Sequence, residues 1–245
     1  MIQLYQYAPV WGIPNLSVFC VKLETYLRMA NLGYVKHSTV PMKAPKGKLP
    51  FIEDQGNKIA DSRFIIEYLK KTYGDRLDGD LDSSQKAIVE AMQRLIEDDL
   101  YWVMMYVRWG QKDANWEKNK QAIFGSVPPV LRSIISNIVR KQILKQIHGH
   151  GMGRHTEEEI FQLGKKDLKT LSDFLADKPY FMGDKPSILD ASAFGMLVNI
   201  LRCPVESPLK EYARGHKNLV DFCDRTMQQY YTDSDTQKES PVKAA

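Results

Sequence analysis

The pattern of the chain changes near residue 74, and this change constrains the fold more than any other feature. Before that point strand-like and helical segments alternate, as is typical of an α/β unit built on one small sheet. The predicted elements are a strand near 2–7, a helix from Ser17 to Ala30, a strand from Tyr34 to Val40, a hairpin from Phe51 to Ala60 and a helix from Ser62 to Tyr73.

After a polar linker at 74–84, the chain has long helical stretches and no convincing strand. Helices are predicted near Ser83–Trp109, near Glu117–His148 with a break at Pro128–Pro129, and near Thr156–Ala176. Capping boxes are predicted at Thr156 with Glu159 and at Ser187 with Asp190. The predicted fold class is α/β plus all-α, with domains at 1–76 and 83–231 and a disordered tail at 232–245.

Charge, apolar content and cysteines limit the class of protein. Against 30 Asp and Glu there are 34 Lys and Arg, so the net charge of +4 argues against a nucleic-acid partner. The apolar stretches at 122–131 and 191–201 are shorter than the roughly 20 residues of a spanning helix, so no transmembrane segment is expected. Three scattered cysteines, with no export signal, indicate a cytoplasmic protein.

The junction between the first strand and the first helix holds three candidate catalytic residues. Ser17 is placed as the N-cap, where its hydroxyl and the free N–H groups of the helix favour a bound thiolate. Cys20 lies in the first turn and is either a nucleophile or a buried core cysteine. Tyr7 is either a further hydroxyl donor or a packing residue of the strand.

Two later segments hold candidate binding residues. Pro50 stands at the mouth of a strand, where a cis bond would expose the backbone of Leu49 to a ligand, and the alternative is an ordinary trans loop proline. At the next strand-to-helix junction, Ser62 is expected to cap the helix, and Asp61 and Ser62 can hold the charged ends of a ligand. Capping alone would also explain both residues.

Three features of the helical half have both a functional and a structural interpretation. His148, His150 and His155 fit no tetrahedral metal site, so no metal is expected. The basic stretch from Lys118 to Arg154 either coats a membrane surface or is an amphipathic core helix with a solvated face. An aromatic and Met stripe is either an apolar substrate pocket or plain core; it comprises Tyr101, Trp102, Met105, Tyr106 and Trp109.

The order of these motifs resembles the glutathione transferase superfamily. The segments Gly47–Asp54 and Ile59–Ile66 are similar to its cis-proline stretch and the acidic-Ser pair that follows, and Pro186–Ala191 is similar to its C-terminal capping box. Asn15–Met29 and Gly151–Ile160 resemble the branch that contains failed-axon-connections proteins and metaxins. The resemblance implies a thioredoxin-like N-terminal domain followed by an all-helical C-terminal domain.

The same resemblance implies an activity and a site. It implies glutathione as co-substrate, a cis Pro50, backbone contacts from Leu49 to its cysteinyl part, and Asp61 and Ser62 at its γ-glutamyl end. Ser17 then activates the sulfur for conjugation to an apolar electrophile, as in detoxification, with Tyr7 and Cys20 as alternatives because the 8–16 loop is long. The resemblance also implies a homodimer. In contrast to what the metaxin resemblance would suggest, no C-terminal membrane anchor is expected in this chain. Two other functions stay open: a thiol reductase using Cys20, and a non-catalytic binding or scaffold protein.

Overall fold

A computed structural model describes residues 1–231, and the predicted tail at 232–245 lies outside them. Its first part is a four-stranded sheet of order β2-β1-β3-β4. The strands are β1 (Ile2–Gln6), β2 (Tyr34–Ser38), β3 (Phe51–Asp54) and β4 (Asn57–Ala60). β1 is parallel to β2 and antiparallel to β3, and β3 is antiparallel to β4. Parallel β1 and β2 need a crossover, which is helix α1 (Val18–Met29). Helix α2 (Ser62–Tyr73) follows β4.

The second part is helical throughout. Ser83–Gln111 is one continuous helical run in which α3 (Ser83–Arg94) and α4 (Tyr101–Tyr106) are followed by π-helical turns at Leu95–Leu100 and Val107–Gln111. The remaining helices are α5 (Asp113–Phe124), α6 (Pro129–His150), α7 (Glu157–Leu175), α8 (Ile188–Leu201), α9 (Pro208–Arg214) and α10 (Lys217–Tyr230). The predicted fold class, a small α/β unit followed by an all-helical one, is confirmed.

Helix α8 is the centre of the molecule. Every residue from Ile188 to Ile200 is buried, and α8 packs directly on α1. Gly195 permits this close approach, because a Cβ there would lie 2.7 Å from the carbonyl oxygen of Val18. The core therefore runs without interruption from the sheet into the helical part.

The capping predictions are confirmed in three of four places, the first of which is Ser17 at the start of α1. Thr156 and Glu159 form a capping box at the start of α7, and Ser187 and Asp190 form one at α8. At α2 the prediction was wrong: Ser62 is the first helical residue, and the cap is Asp61, whose carboxylate accepts from the N–H of Arg63 at 3.0 Å. A carboxylate reaches the free N–H groups as well as a hydroxyl does, so the sequence alone did not distinguish the two.

No single helix within residues 1–231 is long and apolar enough to cross a bilayer. Helices α5 and α6, which are bent by 116° from each other, reach that length and composition only when the two are taken together.

Candidate functional site

The register of the sheet brings the predicted site segments to one edge. Tyr5 pairs with Phe51, and Phe51 pairs with Ala60. Consequently the end of β1, the residues before β3 and the residues after β4 are neighbours; these residues are Tyr7, Leu49, Pro50, Asp61 and Ser62. The Leu49–Pro50 peptide bond is cis. A small apolar cluster beneath this edge contains Cys20, Leu49, Phe51 and Ala60, with Tyr7 packed against it.

Ser17 is the N-cap of α1, as predicted. Its backbone is extended, and its Oγ accepts a hydrogen bond from the N–H of Cys20 at 3.4 Å. The side chain is half-buried, whereas Val18 and Cys20, which follow it in the first turn of α1, are buried. This geometry leaves a hydroxyl and the first-turn N–H groups of a helix at the sheet edge where a ligand sulfur can approach.

Asn15, which the sequence analysis did not single out, fixes the position of Ser17. Asn15 is fully buried, its Nδ2 donates to the carbonyl of Tyr7 at 2.6 Å, and its Oδ1 accepts from the N–H of Ser17 at 3.0 Å. One side chain therefore ties the end of β1 to the start of α1. The sequence offered one signal for this role, an Asn two residues before a Ser N-cap. Asn is also a common turn residue, so its position alone did not distinguish it.

The helical part holds the same loop from the other side. Buried Arg108 donates through Nη1 to the carbonyl of Leu16 at 2.7 Å and through Nη2 to Oδ1 of Asn199 at 2.7 Å. Asn199 in turn donates to the carbonyl of Asn15 at 3.3 Å. Arg108 and Asn199 are 92 and 184 positions away from their partners in the loop, so no local pattern in the sequence could have found them.

Burial keeps the neighbouring acidic groups protonated. Burial raises the pKa of the Cys20 thiol to about 12, although hydrogen bonds with Ser17 and the backbone of Tyr7 oppose the rise. Burial also raises the pKa of the Tyr7 phenol above its usual range, and nearby Cys20 and Tyr101 add to the effect. Near neutral pH both groups are therefore uncharged, and the phenol of Tyr7 is a hydrogen-bond donor.

The second junction is part of an ion-pair network. Asp61 is exposed and has a φ of 79°, a backbone conformation that non-glycine residues rarely adopt. Arg63 donates through Nε to Oε2 of Glu97 at 3.0 Å, and buried Lys22 lies 2.6 Å from Oε1 of the same carboxylate. Ser62 is buried in the first turn of α2. The free N–H groups of this turn and the carboxylate of Asp61 can hold the two charges of an amino-acid end group.

The aromatic stripe divides between the site and the core. Tyr101 contacts Phe19 of α1 with ring centroids 5.1 Å apart, and Trp102 lies beside it and stacks on His150 at 4.7 Å. Trp109, by contrast, is buried against Trp116. Met105 and Tyr106 are half-buried, and the Tyr106 hydroxyl donates to Glu157 at 3.1 Å. Of these five residues, Tyr101 makes a ring contact with α1, the helix that Ser17 caps.

The histidines are dispersed by the fold. His150 stacks on Trp102, and His155 faces Glu159 at 3.7 Å. Among residues 1–231, no three His, Cys, Asp or Glu side chains are grouped so as to hold a metal ion.

Comparison with protein families and individual proteins gives a consistent result. The family model described as glutathione S-transferase N-terminal domain matches residues 18–115, and the model described as glutathione S-transferase, C-terminal domain matches residues 164–226. The isoprene-epoxide–glutathione S-transferase of Rhodococcus sp. (strain AD45) is 40% identical over 238 residues, which cover 94% of this chain and 99% of that protein.

Two further relatives lie in the branch that the sequence resembles. Failed axon connections of Drosophila melanogaster is 36% identical over 96% of this chain, which spans 59% of that protein. Metaxin-2 of Mus musculus is 28% identical over 86% of this chain and 81% of that protein. Among solved structures, the beta-etherase LigF of Sphingobium sp. strain SYK-6 has a TM-score of 0.62 at 16% identity and covers 94% of this chain and 98% of its own, which shows a shared fold.

Proposed function

The chain belongs to the glutathione transferase family, and on that premise we propose that it conjugates glutathione to an electrophilic small molecule. One observation supports the proposal: the residues before β3 and after β4, which are Leu49, Asp61 and Ser62, adjoin the end of β1, to which Asn15 also ties Ser17. The 40% identity to an isoprene-epoxide–glutathione S-transferase supports small epoxides as the electrophile class and detoxification as the role.

In this proposal, residues 1–76 bind glutathione. Leu49, beside Pro50, offers its backbone to the cysteinyl part, and Asp61 and Ser62 hold the γ-glutamyl end. The hydroxyl of Ser17 donates to the sulfur, and the partial positive charge at the start of α1 adds to it. Both interactions stabilise the thiolate relative to the thiol, so they lower the pKa of the bound sulfhydryl, each unit being worth about 1.36 kcal/mol.

The helical domain, residues 83–231, supplies the surface for the electrophile. Tyr101 of α4 and Phe19 of α1 pack together, two residues along α1 from Ser17, and this aromatic surface fits an apolar molecule. The thiol proton leaves to solvent before the attack. The thiolate lone pair then forms a C–S bond to an epoxide carbon, the C–O bond breaks, and the resulting alkoxide takes up a proton.

Burial favours Ser17 over Cys20 as the group that acts on glutathione. Cys20 is fully buried with a raised pKa, so its thiolate is scarce and no exposed sulfur is available for a mixed disulfide. Its free thiol, like those of Cys203 and Cys223, supports a reducing compartment, and we propose the cytoplasm. A homodimer is proposed from family membership alone.

Substitutions at Ser17 test the proposal because capping and sulfur activation need different properties of the side chain. Ser17→Asp retains a capping oxygen but brings a negative charge to the sulfur, whereas Ser17→Thr retains both the cap and the hydroxyl. We expect Ser17→Asp to keep the melting temperature and lose about 100-fold or more in kcat with a small epoxide. Ser17→Thr is expected to stay within about tenfold of wild type.

Cys20→Ala is the matched control, and glutathione binding is followed by calorimetry for each variant. We expect Cys20→Ala to lose stability but to retain most of its kcat. Equal activity of Ser17→Asp and wild type would make Ser17 a structural cap. A wild-type chain that binds no glutathione would favour the scaffold alternative, and loss of activity in Cys20→Ala alone would favour the reductase.

A further inference from the structure

The first half of helix α6 carries an exposed apolar surface that the proposed function does not use. Its residues have exposed fractions between 40% and 76%; we call them the α6 stripe, and they are Val130, Leu131, Ile134, Ile135 and Ile138. Other large hydrophobic residues that are exposed, such as Val40 and Ile88, are scattered over the surface. Five aliphatic side chains within nine residues form a continuous apolar patch, and soluble proteins seldom leave such a patch exposed to solvent.

The charges of this region have one sign. Between Glu117 and Glu157 the sequence has no Asp or Glu but has seven Lys and Arg. Arg132 and Arg140 donate to backbone carbonyls of nearby segments of the same chain, at Gly125 and Trp109. Lys141 and Lys145 are exposed, and neither forms an ion pair with any residue in the described part of the chain.

The lysines continue the apolar stripe along the same face of the helix. Ile134, Ile138, Lys141 and Lys145 follow the spacing i, i+4, i+7, i+11, so they lie in one row. The row is apolar where α6 begins and cationic over its second half. The other face of α6 packs on the core through Val139, Ile143, Leu144 and Ile147, so α6 is amphipathic, but the α6 stripe adds an apolar surface that the core does not cover.

We propose that α6 docks on the surface of an anionic lipid bilayer. The α6 stripe enters the boundary between headgroups and acyl chains, while Lys141 and Lys145 stay at the level of the lipid phosphates. Charge complementarity favours this occupant over a second copy of the chain. A two-fold contact through the same face would pair two surfaces whose charges are all cationic, because α6 has no acidic group to balance its lysines and arginines. The proposal is independent of the glutathione chemistry.

Vesicle flotation of the purified full chain tests the proposal. We expect binding to vesicles of phosphatidylcholine with about 30% phosphatidylglycerol, at least about tenfold stronger than to phosphatidylcholine alone, and weakened by salt. Ile134→Ser with Ile138→Ser should weaken binding about tenfold or more, because the inserted apolar area is lost. Lys141→Ala with Lys145→Ala should remove most of the preference for anionic vesicles.

The matched control is Val40→Ser with Ile88→Ser, which removes exposed aliphatic residues elsewhere and should bind like wild type. Circular dichroism and melting temperature verify that each variant folds. Failure of the wild-type chain to float with anionic vesicles would overturn the proposal. It would also be overturned if light scattering showed that Ile134→Ser with Ile138→Ser splits a dimer, since the stripe would then be an interface between copies.

Discussion

Burial changes the pKa of single ionisable groups. Near the site it decides which group can act on a bound sulfur, and elsewhere it makes the free energy of unfolding depend on pH. The Cys20 thiol, with its raised pKa, remains protonated, while Ser17 needs no ionisation to donate its proton. The same principle applies to Asp167 of α7, whose carboxylate is buried and whose Oδ2 lacks a partner among the described residues. Burial raises its pKa to about 7, and the nearby carboxylate of Asp99 adds to the rise.

Asp167 should make the free energy of unfolding depend on pH. The folded chain holds the Asp167 proton up to a pH of about 7, whereas the unfolded chain releases it near 3.9. Stability from this group is therefore fully present below about pH 4 and is lost as pH rises towards 7. Asp167→Asn cannot ionise, so its stability advantage over wild type should grow by on the order of 2 kcal/mol between pH 5 and pH 8. Urea denaturation at the two pH values measures it.

Asp173→Asn on the same helix is the control for this prediction. Asp173 is exposed and pairs with Lys169, so its substitution should change stability by less than about 1 kcal/mol with little dependence on pH. Asp190, whose pKa burial raises to about 6, contributes equally to wild type and variant and cancels in the difference. A gap between Asp167→Asn and wild type that is constant over this range would contradict the assignment.

At the residue level, the sequence predicted the roles that depend on residues nearby in the sequence, such as helix capping. Ser17 was found as a cap because it follows a strand and precedes an apolar helical period, and the capping boxes at Thr156 and Ser187 are local as well. Arg108 was not found, because its carbonyl and amide partners on Leu16 and Asn199 are brought together by the fold. A buried Arg looks in the sequence like any surface Arg.

At the level of elements, the packing of α8 on α1 depends on the absence of a side chain. Gly195→Ala would place a Cβ 2.7 Å from the Val18 carbonyl and 3.2 Å from the Lys22 nitrogen, both of which are backbone atoms that cannot move aside. We expect a loss of about 1–3 kcal/mol in the free energy of unfolding, although alanine has the higher helix propensity. Displacement of α1 also moves Ser17, so kcat should fall in the same variant.

Gly149→Ala in α6 separates the steric effect from propensity. A Cβ at Gly149 meets nothing within 4 Å, so the same substitution should be neutral or stabilising by up to about 1 kcal/mol. Thermal and urea unfolding of the two variants in parallel measure the difference. Equal stability of Gly195→Ala and Gly149→Ala would mean that α8 can shift away from α1 at no cost.

Hydrophobic periodicity predicted the extent of the long helix after the linker, but it did not predict the π-helical turns within it. The apolar pattern predicted a single helix over Ser83–Trp109, and the run is continuous to Gln111. The pattern gave no sign of the π-helical turns at Leu95–Leu100 and Val107–Gln111. Such a turn changes the direction of the side chains after it. Here the turns carry Glu97 and Arg108, whose partners include Lys22 of α1 and the carbonyl of Leu16 in the part of the chain that holds the sheet.

For the whole molecule, Glu97 is the charge that joins the two parts. Its carboxylate accepts from Lys22 of α1 at 2.6 Å, from Arg63 of α2 at 3.0 Å and from Ser192 of α8 at 2.9 Å. Lys22 and Glu97 are both buried, and burial lowers the pKa of the Lys22 ammonium while the charge of Glu97 opposes that shift. The carboxylate of Glu97 therefore favours the charged form of an amine that burial alone would drive towards the neutral form.

Removing that carboxylate alone should be far more damaging than removing the carboxylate and the ammonium together. Glu97→Ala leaves Lys22 buried without its partner, and we expect a loss of about 3–5 kcal/mol by urea unfolding. Lys22→Met with Glu97→Gln leaves no uncompensated charge in the core, so it should recover a substantial part of that loss. The exposed pair Lys169–Asp173 is the control, for which Lys169→Met with Asp173→Asn should cost less than about 1 kcal/mol. If the double variant at positions 22 and 97 were as unstable as Glu97→Ala, the carboxylate would act through Arg63 and Ser192, and Lys22 would contribute no charge that needs compensation.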